Sequence, residues 1–514
     1  MSKTIDRTTE PTTITATRPA LRLRYIALIF GAAGTLIAAW GSWTPSLWGD
    51  EVTSLMSAER PLPSLFVMLG HIDAVHGTYY FALHWWIALF GTSPFSIRFP
   101  SAIAVGFTVA AVVVIAWRLR SPRLAIIAGA VCCIVPRVTY MGEEARSFAT
   151  SAAIVSWLTV VLIELIRREH APRRLWIGYG VLLAVGTYFF LYVALFALAH
   201  LLVLLSIRAS RTLFRRWAIT VGLAAASVLP LIIFGFLERR QINYLAHDQV
   251  SPSTIFNSLW FGTLWFAVPA WTLIAVALIA AIRMRLLRAP AGQRLRALFA
   301  PTASPSVVLV AATWLVVPTL VLALAQTAIP SFTARYVSFC APAAAILIAC
   351  GIEAISRGRA WIEAVAVIAL VAVSAPIYLA QRTPYSKNDS DWAVLSAVIG
   401  AHAKAGDAVV FDESINPYRR PRLAMHAYPA GFVNTRDVTL QLPFTSNTSW
   451  TDSVYTVAQA ASIGRFDGIG RVWLIEWTGG TPDDYGVSDL QQLGFTQVGQ
   501  PIHTHRESIT EFTR

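Results

Sequence analysis

Apolar runs of about 17 to 22 residues, each long enough to cross a hydrocarbon core as a helix, recur from residue 25 to residue 380 and leave few alternatives for the fold. With 56% hydrophobic and 13% charged residues, and a mean hydropathy of +0.57, the chain is too apolar for a soluble enzyme of 514 residues. Clusters of arginine punctuate the runs: Arg118/Arg120/Arg123, Arg167/Arg168/Arg173/Arg174, Arg208/Arg211/Arg215/Arg216, Arg283/Arg285/Arg288/Arg294/Arg296 and Arg357/Arg359. They follow every second crossing, so the net charge of +13 is a topology signal and gives no support for a nucleic-acid surface. The pattern predicts a polytopic α-helical membrane protein of about eleven transmembrane helices. Arg18, Arg22 and Arg24 place the N-terminus in the cytoplasm, and the loops away from the arginine clusters fall outside.

Three regions follow. Residues 1–24 read as a disordered cytoplasmic tail, residues 25–380 as the transmembrane module, and residues 381–514, where composition changes, as an extracytoplasmic soluble α/β domain. In that last region the pattern predicts helices near 391–402, 454–463 and 487–493 and strands at 408–412 and 471–477, without a Gly-rich phosphate loop. The first external loop, 44–98, is long, and its segment 79–90 is apolar yet too short to span, which predicts an interfacial helix. Cys132, Cys133, Cys340 and Cys350 lie inside apolar runs without metal spacing and read as small core residues.

The polar chemistry gathers in the external loops. Trp48-Gly49-Asp50-Glu51 follows the first span, and two adjacent carboxylates there call for water, a base's task or a cation, or else for a helix cap at Asp50. Trp48 reads as an interfacial anchor. His71, Asp73 and His76 could bind a divalent metal, although their spacing matches no established site, and the alternative is a hydrated loop. Glu143, Glu144 and Arg146 end one span, and Arg335-Tyr336 begins another; a guanidinium fork fits phosphate, or snorkels to head groups. The loop 237–261 carries Glu238, Arg239, Arg240, His247 and Asp248. The spans themselves are nearly free of ionisable residues, which argues against a lipid or solute transporter.

Taken together, the Trp-Gly-Asp-Glu motif, His76-Gly77-x-Tyr79-Tyr80, the Glu-Ala-Arg-Ser-Phe turn at 144–148 and Ala334-Arg335-Tyr336 resemble the GT-C superfamily of polyprenyl-phosphate-sugar-dependent glycosyltransferases. The likeness, over residues 25 to about 380, is strongest to the protein O-mannosyltransferase and aminoarabinose-transferase branch in its actinobacterial cell-envelope form. His76-Gly77 stands where many relatives show His-Pro-Pro. The resemblance implies a multi-pass plasma-membrane enzyme with an external active site, inverting, with Asp50 as general base and Glu51 orienting the acceptor or a bound cation. It implies a polyprenyl-monophosphate donor whose phosphate meets Arg146, Arg335 and His76. Tyr79, Tyr80, Tyr336, Glu143 and Glu144 become candidate contacts for substrate or lipid. Mannose is the favoured sugar and arabinofuranose the runner-up. The acceptor would be a glycolipid, polysaccharide or protein, with membrane lipids as further partners. No cofactor is required, and a divalent metal on His71, Asp73 and His76 remains the alternative.

Overall fold

A computed structural model of the chain describes residues 17–242, 251–288, 290, 294, 302, 304–329, 332–478 and 485–514. Most of the tail expected at 1–24, together with His247, Asp248 and Arg296, lies outside the described residues. Eight helices among them are long and apolar enough to cross a membrane: Ala20–Ala39, Pro94–Leu119, Phe148–Arg167, Arg211–Leu237, Leu264–Arg288, Val307–Ala325, Ala334–Ser356 and Ala360–Ala380. A ninth is reached if Pro122–Ile134 and Pro136–Gly142, bent by 61° at Val135, form one span. Proline at 136 cannot donate into the preceding helix and drives Val135 into an extended conformation (φ −60°, ψ 124°), which makes the break. The remaining two expected crossings are helical but short: Arg173–Phe189 has 17 residues and Leu191–Ser206 opens with a 3₁₀ turn. Among the described residues eight or nine helices therefore have the length of a span, where eleven crossings were expected.

Several starts are written locally. Ser93, Ser121 and Ser210 each accept a backbone N–H three residues on, and Pro94 and Pro122 occupy the first helical position, where a missing donor costs nothing. Small residues then set the spacing. A Cβ on Gly106 would stand 2.0 Å from Thr35 Oγ1 and 2.6 Å from the Gly31 carbonyl, so the first helix and Pro94–Leu119 pack backbone to backbone. The four cysteines are free and buried in the bundle, as expected of core residues.

Arginine clusters mark one end of the bundle, where Arg118 pairs with Glu164 at 3.1 Å, Arg120 with Glu353 at 3.1 Å and Arg123 with Glu363 at 2.7 Å. The opposite end carries the long first loop and the C-terminal domain. In that loop, helices Gly49–Glu59 and Leu62–Leu69 lead through a 3₁₀ turn to Gly77–Phe90, which buries Tyr79, Tyr80 and Leu83 and leaves Phe81, Trp85 and Leu89 exposed.

The C-terminal domain is mixed α/β. Its five-stranded sheet runs Thr435–Asp437, Asp407–Phe411, Arg471–Trp477, Glu507–Thr513, Thr496–His503, with the first three parallel and the last two pairings antiparallel. The expected helices appear as Trp392–His402, Val457–Ser462 and Val487–Gln492. This domain does not hang free: Val409, Phe411, Trp392 and Leu395 share one apolar core with Leu47, Val52, Leu55 and Met56 of the first loop. Arg60, fully buried, donates to the carbonyls of Asn447 (2.8 Å) and Ser449 and so clamps the two together. Directly after the last span, Arg382 donates to the Trp40 carbonyl at 2.6 Å, so the chain past residue 380 is woven into the bundle end at once.

Candidate active site

Asp50 stands in the first turn of Gly49–Glu59. Trp48, not Asp50, is the N-cap, and it makes no side-chain cap bond. The approach of the C-terminal domain demands glycine at 49, because a Cβ there would lie 2.1 Å from the Tyr418 carbonyl oxygen. Trp48 is buried beneath Arg335, whose guanidinium lies 4.8 Å over its ring, so the expected interfacial anchor is an aromatic floor instead.

Arg335 Nη1 donates to Asp50 Oδ2, closing an ion pair in which the aspartate side chain keeps 25% exposure. Arg146 approaches from the other side, donating through Nη1 to the Asp50 carbonyl (3.3 Å) and Ser54 Oγ (3.2 Å). Its Nη2 faces His76 Nε2 at 3.4 Å, which makes that imidazole nitrogen the acceptor. Burial alone would raise the Asp50 carboxyl, but Arg335, then Arg146 and His76, outweigh it and hold the pKa below the ordinary 3.8. Burial first, and Arg146 second, push His76 down to about 3, so the ring is neutral at physiological pH.

Glu51 points the opposite way. It is fully buried, bound bidentately by one edge of Arg98 (Nε to Oε1 2.8 Å, Nη2 to Oε2 2.6 Å), and accepts the Ala145 N–H at 2.9 Å. Arg98 in turn donates to the carbonyls of Ser42 (2.6 Å), Pro45 (2.8 Å) and Ser46 (3.3 Å). Those bonds pin the start of the first loop to the Glu143–Arg146 turn. The expectation that Glu51 meets an acceptor or cation is corrected: its oxygens are engaged inside the protein. Glu143 is likewise sealed, 3.3 Å from both Arg382 and Lys387. Glu144 is buried, its carboxyl raised by burial, and its Oε1 has no hydrogen-bond partner among the described residues. Two charged layers result: Asp50, Arg335, Arg146 and His76 in front, and Glu51, Arg98, Glu143, Arg382 and Lys387 behind.

The other expected residues divide. Tyr80 is buried and donates to Asp73 Oδ2 at 3.0 Å, and burial raises the Asp73 carboxyl. The Asp73 and Ala74 N–H groups donate to Gln241 Oε1 (3.3 Å) and Glu238 Oε2 (3.0 Å), tying the loop to the end of Arg211–Leu237. Tyr79 is interior rather than an interfacial anchor, 5% exposed. Tyr336 packs edge-on to Phe190 and tilted against Tyr192 and Phe148, an aromatic wall beside Arg335. His71 is turned out and bonds the Val67 carbonyl at 2.9 Å, so the metal trio is not assembled. Among the described residues no three His, Cys, Asp or Glu side chains converge as metal ligands. Arg98, Arg382 and Lys387 escaped the sequence reading; an arginine interrupting an apolar helix was the available sign for the first.

The front layer offers a reachable carboxylate between two guanidinium groups and a neutral imidazole, at the end of a helical bundle and against an aromatic wall. Such a set can accept a proton from a hydroxyl while neutralising an anion nearby. Residues 78–234 match the family model described as dolichyl-phosphate-mannose-protein mannosyltransferase. No curated protein matches the chain in sequence. By fold the chain is similar to ArnT from Cupriavidus metallidurans bound to undecaprenyl phosphate, at TM-score 0.53 and 11% identity over 97% of this chain and 98% of that one. It is also similar to the apo oligosaccharyltransferase of Archaeoglobus fulgidus, at TM-score 0.51 and 11% identity over 88% of this chain and 69% of that one. Arabinofuranosyltransferase AftD from Mycobacteria aligns at TM-score 0.49 and 17% identity over 96% of this chain and 40% of that one.

Proposed function

We propose that the chain is a polyprenyl-phosphate-sugar-dependent membrane glycosyltransferase of the GT-C superfamily, and that it moves mannose from a polyprenyl-monophosphate donor to a cell-envelope glycan, glycolipid or protein, with inversion at the sugar C1. Transfer takes place on the external face, where the positive-inside distribution puts the first loop and the C-terminal domain. The observation that carries this reading is the Asp50–Arg335 pair flanked by Arg146.

Arg335 holds the Asp50 carboxylate and keeps it a weak base. A donor phosphate entering beside Arg335 competes for that guanidinium. The carboxylate, relieved of its counter-charge, becomes basic enough to take the acceptor hydroxyl proton as oxygen attacks C1. As the C1–O bond breaks, the lipid phosphate gains negative charge, which Arg335 and Arg146 stabilise; the neutral His76 imidazole orients Arg146 through Nε2. Tyr336 and its aromatic neighbours supply a surface for the sugar or the first prenyl unit.

Membrane vesicles containing the protein, supplied with decaprenyl-phosphate-mannose, should label an endogenous acceptor, and Asp50→Asn should abolish labelling while inserting normally. Full labelling by that variant removes Asp50 from the chemistry. Labelling only from the arabinofuranosyl donor would replace the sugar and leave the site assignment standing.

A further inference from the structure

Beside Asp50 stands a second open carboxylate that the reaction above does not use. Asp73 opens the 3₁₀ turn Ala74–His76 in a left-handed conformation (φ 60°, ψ 24°), unfavourable for a residue with a Cβ and held by the bonds from its own and the Ala74 N–H to the end of Arg211–Leu237. Among the described residues its Oδ2 accepts the Tyr80 hydroxyl at 3.0 Å, and its Oδ1 accepts no hydrogen bond. That oxygen is not sealed in: the residue is partly exposed, and Oδ1 is not among the buried atoms left without a partner. Asp50 is built alike, with Oδ2 on Arg335 and a quarter of the side chain exposed.

The two carboxylates belong to one site. The Tyr80 hydroxyl that holds Asp73 has Arg146 beside it, and the Tyr80 ring lies 6.0 Å from that of His76. Arg146 reaches from His76 Nε2 (3.4 Å) to the Asp50 carbonyl (3.3 Å), so a single guanidinium separates the two acids. Arg146 is also the strongest charge opposing the burial of Asp73, and Asp50 adds repulsion. Tyr80 alone does not require an ionised partner, since an amide or carbonyl oxygen would accept its proton. A second negative charge beside Asp50 is unfavourable unless something meets it. What meets it must donate hydrogen bonds: phosphate oxygens are repelled, and the metal trio is broken by the outward turn of His71. With the donor phosphate on Arg335 and Arg146, the sugar it carries lies next to Arg146, and its hydroxyls are the donors within reach of the acid on the far side.

We infer that Asp73 determines specificity for the transferred sugar, its Oδ1 accepting one hydroxyl of the donor sugar while Asp50 takes the proton of the acceptor. This rests on the lipid-phosphate sugar donor proposed above. Asp73→Gly removes the carboxylate and keeps the left-handed turn, and Asp73→Asn keeps an acceptor for Tyr80 without the charge. Full-length protein in lipid nanodiscs is assayed with decaprenyl-phosphate-mannose and with its 2-, 3-, 4- and 6-deoxy forms. For one deoxy donor the wild-type kcat/KM should drop about 10–100-fold. Asp73→Gly should lose about the same factor with the mannose donor and nothing further with that deoxy donor, while the other deoxy donors keep their ratios; Asp73→Asn should fall between. Equal loss with every donor would make Asp73 a support of the loop and overturn the inference, as would wild-type activity in Asp73→Gly. If only the arabinofuranosyl donor is used, the same pattern is expected from its deoxy series. Binding reads the contact without turnover: decaprenyl-phosphate-mannose should bind the wild type and Asp50→Asn more tightly than decaprenyl phosphate does, and Asp73→Gly should shrink that margin about tenfold. An unchanged margin would overturn the inference, whereas the expected margin in a wild type that transfers from no donor would bring down the transfer reaction and leave the sugar contact standing.

Discussion

Replacing Glu51 should damage the fold, where replacing its neighbour Asp50 damages the chemistry. Glu51→Ala leaves Arg98 inside the protein with three carbonyls and no counter-charge, since both partners of this pair are fully buried. Breaking a buried pair from one side costs about 3–5 kcal/mol, and the Ala145 N–H, deprived of its acceptor, adds about 1 kcal/mol. A domain holds only about 5–15 kcal/mol of stability, so the variant should be poorly expressed or melt well below the wild type in detergent. Glu51→Gln keeps an oxygen for Ala145 and the shape of the contact, and should fall between the two. Asp50→Asn alters a side chain 25% exposed, so its melting should change little, while loss of a general base lowers turnover by about 10²–10⁴. The assay is the thermal midpoint by intrinsic fluorescence alongside sugar transfer per folded molecule. A Glu51→Gln protein that melts like the wild type yet is as inactive as Asp50→Asn would refute the division of labour and return Glu51 to the reaction.

Other outcomes are open to measurement. Arg146→Ala and Arg335→Ala should raise the KM for the lipid-linked donor more than that for the acceptor and lower turnover by about 10²–10³; equal effects on both substrates would mean that the arginines only support the loop. Because Asp50 is held below 3.8, the contribution of its ion pair to stability is present above that pH and lost as pH falls through the lower folded value, and the acid limb of kcat/KM for the donor, which reports the free enzyme, should lie below 3.8. In Arg335→Gln, burial is no longer offset by its largest counter-charge, so that limb should move upward; an unmoved limb would assign it to another group. His76, neutral in the fold with its pKa near 3, should destabilise the protein progressively as pH drops from 6.5 towards 3, and His76→Gln should flatten that part of the stability profile. Membranes stripped with EDTA should retain transfer, and a loss restored by one divalent cation would reinstate metal chemistry.

Much of the fold was legible because bilayer physics writes it in long runs. Span length and arginine spacing located the eight membrane-length helices among the described residues, and the change of composition after 380 marked the α/β domain, whose strands at 407–411 and 471–477 are largely apolar runs. The antiparallel strands Thr496–His503 and Glu507–Thr513 were missed: the first is a largely exposed edge strand, and the second, though mostly buried, alternates polar with apolar residues, so neither is a continuous apolar run. Helix length failed at 173–206, where apolar character is continuous but Phe190, extended at φ −158°, ends one helix and a 3₁₀ turn starts the next. Backbone breaks of this kind leave no composition shift.

The site was half legible for a reason that sequence adjacency conceals. Asp50 and Glu51 look equivalent as neighbours, but successive helical residues are about 100° apart, so one turns to the open face and the other to the interior. Which is which depends on Arg98, the last residue of the first loop as read at 44–98 and so counted as loop. Arg98 lies in the first turns of Pro94–Leu119, where a buried guanidinium requires a carboxylate. Once Glu51 is drawn inward to meet it, the helix orientation is fixed and Asp50 must face Arg335. The rear pair thus decides the register of the front pair, and the carboxylate left out of the proposed chemistry is the one that fixes where Asp50 stands.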